Sequence, residues 1–138
     1  MSGFVFVSGT SMELPGDIQA VSAEGHAVVD STACVAILAG GLPEIRRAAA
    51  VVVDGDCPGE LPPGVCGIQL ITCGRGCRNT VSISSDCGDR LTLALNRPIR
   101  TLTGVCEPME LTVERHGRTD FECMAGFAAA IIINTEPE

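Results

Sequence analysis

The apolar residues of this chain change their spacing part-way along it, and that change constrains the fold more than any other feature. Up to residue 56 they come in runs: GFVFVSG (Gly3 to Gly9), HAVVD, and AAVVVDGD (Ala49 to Asp56). A strand buried on both faces reads as such a run, and such strands belong to parallel sheets. After GIQLITCG the period becomes two. Val81 and Ile83 alternate with Ser and Thr, and Leu91, Leu93 and Leu95 repeat the pattern across the turn SDCGDR. Alternation on both sides of a turn is a hairpin signature.

The segments between the early strands read as helices. SMELPGDIQAVSAEG offers Ser11 as an N-cap, Ser31 caps STACVAILAGG ahead of a glycine pair, and PEIRRA adds a short helical turn. CPGELPPG reads as a surface loop. MELTVE alternates again, with RPIRTLTG as its expected partner at an edge, where Pro98 is tolerated. The last element starts at Thr119, where TDFE forms a capping box with Glu122, and Phe121, Met124, Ala125, Ala128 and Ile132 share one face. The expectation is α/β: one Rossmann-like three-layer domain over residues 1–138, with a parallel first half and an antiparallel, hairpin-rich second half.

Composition sets what the core and the surface can do. Apolar residues make up 46% of the 138, with no Trp, no Tyr and four Phe, so Val, Ile, Leu and Ala must fill the core. All nine basic residues are Arg against seventeen carboxylates, a net charge of -8, which repels nucleic acid and acidic membranes. The absence of Lys removes Schiff-base chemistry, a lysine general base and a phosphate-loop lysine. MSGFVFVSGT lacks a basic leader and FAAAIII is far below bilayer length, so the expected address is the cytoplasm, where the eight cysteines stay reduced.

The stretch ITCGRGCRN concentrates the candidate chemistry. Gly74 and Gly76 follow a strand as a dinucleotide fingerprint would, and Arg75 and Arg78 offer contact to an anion. The third glycine of that fingerprint is replaced by Asn79, and a strand pattern follows where the phosphate-binding helix belongs. Cys73 and Cys77, with Cys66 upstream and Cys87 downstream, form a candidate thiolate set for zinc or iron, although no CxxC is present; small core cysteines are the simpler reading. Asp54 and Asp56 stand at the carboxyl end of a central strand, where open α/β sheets bind ligands and where two acids could hold Mg²⁺. His26 and His116 sit in no motif.

The segment FVFVSGTSMEL resembles the start of the ATP-binding central domain of Mur ligases, whose loop runs roughly V-T-G-T-N-G-K-T. Val7, Ser8, Gly9, Thr10 and Ser11 match in character, whereas Met12 stands in place of the second glycine and Glu13 in place of the lysine. QLITCGRG followed by alternating strands is similar to the Mur segment that leads from a parallel strand into a small antiparallel subdomain. The resemblance implies a stripped relative that keeps the scaffold without ATP, because glycine wraps the phosphates and lysine neutralises them. The functional expectation is a non-catalytic domain, with no cofactor, that binds a protein partner or forms a homo-oligomer; a mean hydropathy of +0.33 fits a buried association face. The alternatives are a thiolate metal-binding or redox protein and a small hydrolase or transferase acting through Asp54, Asp56 and Arg75.

Overall fold

The computed structural model describes residues 3–9, 20–23, 27–56 and 67–133 and, singly, Met12, Leu14, Ile18, Leu61 and Val65. In chain order the strands are β1 (Phe4–Gly9), β2 (Ala20–Ala23), β3 (Val28–Asp30), β4 (Cys34–Ala39), β5 (Glu44–Arg47), β6 (Ala50–Asp54) and β7 (Leu70–Cys73). There follow β8 (Val81–Asp86), β9 (Arg90–Leu95), β10 (Ile99–Arg100), β11 (Val105–Cys106) and β12 (Met109–Glu114), then one helix, α1 (Asp120–Ile132). Eight strands form one sheet in the order β12-β9-β8-β7-β6-β4-β1-β2. From β2 to β7 the neighbours are parallel, β8 joins β7 through the single parallel pair Cys73↔Val81, and β8, β9 and β12 are antiparallel. The protein is thus mixed α/β with a large, mostly parallel sheet, and its helix is single among the described residues.

Several expected helices are strands. STACVAILAGG contributes β4, a central strand between β1 and β6, because Cys34, Val35, Ala36 and Ile37 are buried on both faces. An apolar run of that length has no period to separate strand from helix, and only the sheet around it decides. Ser31 still shapes a turn, its Oγ accepting from Ala33 N–H at 3.2 Å. PEIRRA forms β5, which pairs in parallel with β3 from HAVVD in a separate two-stranded ribbon; Arg47 Nε donates to Asp30 Oδ1 across it at 2.6 Å. In SMELPGDIQAVSAEG the residues Ala20–Ala23 are strand β2, and Ser11 lies outside the described residues. The partner of MELTVE is β9, through Leu93↔Leu111 and a Thr92–Thr112 hydroxyl contact of 3.0 Å, while β10 turns back on β11. The strands GFVFVSG, AAVVVDGD and GIQLITCG and the β8–β9 hairpin stand where the spacing predicts them.

The two faces of the sheet bury different cores. Val5, Val7, Val35, Ile37, Ala50, Val52, Ile71 and Cys73 point to the side of α1, and Phe6, Cys34, Ala36 and Val51 point to the ribbon, against Val29 and Ile45. α1 begins as the capping box predicts: Glu122 N–H donates to Thr119 Oγ1 at 3.1 Å and Thr119 N–H donates to Glu122 Oε1 at 2.8 Å. From Cys123 to Ile132 every residue is buried, not only one face, because Ile18, Ile99, Met12 and Leu14 also pack into the helix-side core. A helix buried on all sides needs no polar stripe. Among the described residues no helix is long and apolar enough to cross a membrane.

Candidate functional site

The carboxyl ends of β4, β6 and β7 open into a cleft of about 1120 Å³. Its apolar wall comes from Leu38, Val53 and Leu70, which project on the ribbon side of the sheet, with Leu42 and Leu61 from the adjoining loops. Side-chain alternation places these residues there: in β7, Ile71 and Cys73 face α1, so Leu70 and Thr72 face the other way. The opposite rim is polar, with Asp54 closing β6, Asp56 in the loop after it, and Gly76, Arg78 and Asn79 from the turn after β7.

Backbone hydrogen bonds hold the rim together. Asp56 N–H donates to Asp54 Oδ1 at 2.9 Å, and Asp56 Oδ2 accepts from Arg75 N–H at 2.8 Å, tying the loop after β6 to the loop after β7. The Asn79 side chain is buried, donates to Gly76 O at 2.9 Å and lies over Gly55, where a Cβ would overlap its amide oxygen. Asn96 then donates to Asn79 O at 3.0 Å and to Ser82 Oγ at 2.9 Å. Thus GRGCRN is a closed turn leading into β8, and no helix starts there.

The residues expected to contact an anion therefore divide. The Arg75 guanidinium reaches Asp86 at 2.6 Å and Asp120 at 2.9 Å, and Arg115 pairs with the same two carboxylates at 3.7 and 2.9 Å. Arg75 holds the Asp86 carboxyl below the usual carboxylate range, helped by the Gly88 N–H and by Arg115. Arg78 is exposed at the cleft rim, and its guanidinium makes no ion pair among the described residues. Gly74 is buried against Asp56, and Gly76 lines the cleft.

Of the thiolate candidates, Cys73 lies in the helix-side core, where burial and then the neighbouring Asp54 charge push its thiol far up. Cys77 and Cys87 are exposed, and Cys66 lies outside the described residues, as does His26. Among the described residues no three His, Cys, Asp or Glu side chains come together as a metal site. His116 takes a left-handed backbone, φ 52°, in the turn after β12.

The end of β1 is held by the chain itself. Gly9, φ 101°, bridges Gly40, and Gly41 N–H donates to Ser8 O at 3.3 Å. A Cβ at Gly9 would approach Ala39 O to 2.6 Å. Thr10, Ser11 and Glu13 lie outside the described residues. The spacing of the sequence did not reveal Asn79, Asp86, Arg115 or Asp120 as parts of this edge; the signal for Asn79 was its position closing a glycine turn. No family model, no curated protein and no solved structure matches this chain.

Proposed function

We propose that this protein is a non-catalytic binding domain that receives a segment of another protein in the cleft at the carboxyl edge of β4, β6 and β7. One observation carries the reading: of the seven large apolar residues exposed among the described ones, Leu42, Leu61 and Leu70 line this one cleft. Apolar side chains gathered in a concave, polar-rimmed site mark an interaction surface, whereas scattered ones need no explanation. The scaffold reads as a Rossmann-like variant in which the β3–β5 ribbon replaces one helical layer, similar to a Mur ligase central domain without ATP-binding capacity.

The edge chemistry supports the absence of a nucleotide role. The rim carries two carboxylates, which repel phosphate, and Arg75 is engaged by Asp86 and Asp120. The N-terminus of α1, the kind of site that binds phosphate in α/β proteins, faces its own Asp120 and Glu122. A photoreactive benzoylphenylalanine at position 70 is expected to give a discrete protein adduct in the native host, while the same residue at exposed Val105 gives none. Mg·ATP titration is expected to produce no heat. An adduct pattern independent of position, or saturable ATP binding, would overturn the proposal.

A further inference from the structure

The cleft's charge specifies what enters it, and we infer that its occupant is a peptide segment with apolar side chains and a basic residue, arginine or lysine, beside them. This rests on the binding role proposed above. Asp54 and Asp56 stand together on the rim, and Asp56 is exposed with no ion pair among the described residues. The arginine hydrogen-bonded to it does not neutralise it: Arg75 gives Asp56 only its backbone N–H, and its guanidinium goes to Asp86 and Asp120. Among the described residues that line the cleft, Arg78 is the one cation beside the carboxylates of Asp54 and Asp56, on a chain of net charge -8. Long-range and local fields therefore both favour a cationic partner.

Size and shape favour a peptide over a metabolite. The volume of about 1120 Å³ exceeds the ~300–1,000 Å³ common for small-molecule pockets. The rim is low at Gly40 and Gly76, two positions where no side chain fills the space over the backbone and a peptide chain can approach. The apolar wall supplies affinity through burial, and the carboxylates select the charge.

The test is selection from a random-peptide library displayed on phage, panned on wild-type protein with the Leu70→Glu variant as counter-selection. Leu70 is exposed at the start of β7, so the substitution is expected to leave the melting temperature unchanged; Leu42→Glu serves as a second blocked cleft. The expected result is enrichment of apolar peptides containing Arg or Lys. Binding of a synthetic peptide chosen from them should weaken about two- to fivefold in Asp56→Asn, as exposed ion pairs do, weaken with salt, and strengthen in Arg78→Ala. Cleft-dependent enrichment of neutral or acidic peptides would overturn the inference and leave the binding role standing. No cleft-dependent enrichment at all would overturn both.

Discussion

Cys34 and Cys73 are thiols that the fold keeps protonated. Burial pushes Cys34 up to about 11, against a smaller opposing effect of the Phe6 backbone, and pushes Cys73 still higher with help from Asp54. Burial also raises Cys123, opposed by Arg118 and Arg115, while Cys77 and Cys87 are exposed. Brief alkylation at pH 8 followed by peptide mapping should therefore mark Cys77 and Cys87 and spare Cys34, Cys73 and Cys123. The same shifts set a pH dependence. With no Lys and no Tyr in the chain, cysteines are the side chains that titrate between about pH 8.5 and 11. A raised folded pKa stabilises the native state below the unfolded value and loses that advantage as pH rises, because only unfolded thiols ionise there. The urea midpoint is expected to fall across that window, and a flat profile would show that these thiols ionise when folded. At Gly55 the limit is space: Gly55→Ala forces Asn79 off its hydrogen bond to Gly76 O and should cost about 1–3 kcal/mol by urea unfolding.

At the scale of elements, what could be read from the sequence was what is decided locally. The capping box at Thr119 and the β8–β9 hairpin are set by residues close together in the chain, and both are present. β4 and β5 were hidden, since Cys34 to Ile37 are a run without period and EIRR is a strand only because Val29 and Ile45 pair across the ribbon. The site was half legible: Asp54, Asp56, Gly76 and Arg78 meet at the cleft, but the leucines opposite them come from β4, β7 and two loops, a convergence that only the sheet order creates. The ion network joins four element ends: Arg75 after β7, Asp86 closing β8, Arg115 after β12, and Asp120 opening α1. Asp86 is held below its ordinary range, so its contribution is present above about pH 4 and is lost as pH falls through the folded value. Asp86→Asn should remove that part of the acid sensitivity and speed amide hydrogen exchange at Gly74–Thr80. Unchanged exchange there would mean that the Asn79 contacts alone fix the turn.

The molecule as a whole is built asymmetrically about its sheet. On the α1 side, twenty-four buried residues form one cluster among the described residues, and on the ribbon side six do. The helix is enclosed, since Ile18 and Ile99 pack into the core around it and Leu102 N–H donates to Ile132 O at 2.9 Å, so it cannot leave without opening the larger core. The ribbon has only three and four residues in its strands, and Arg46 and Arg47 at its exposed end pair with Glu44 and Asp30 in water. Exposed pairs of this kind add little, and segments with small apolar burial open at lower free energy than the whole. The chain carries a thiol in each core, Cys34 under the ribbon and Cys73 under the helix, and without Trp or Tyr these are better reporters than intrinsic fluorescence. In a urea series with pulsed alkylation, Cys34 is expected to become reactive at a lower concentration than Cys73. Cys73 should follow the loss of helical circular dichroism, because α1 and its core come apart together. Coincidence of all three midpoints would instead make the ribbon part of one cooperative unit, its few buried side chains supported by the sheet they cover.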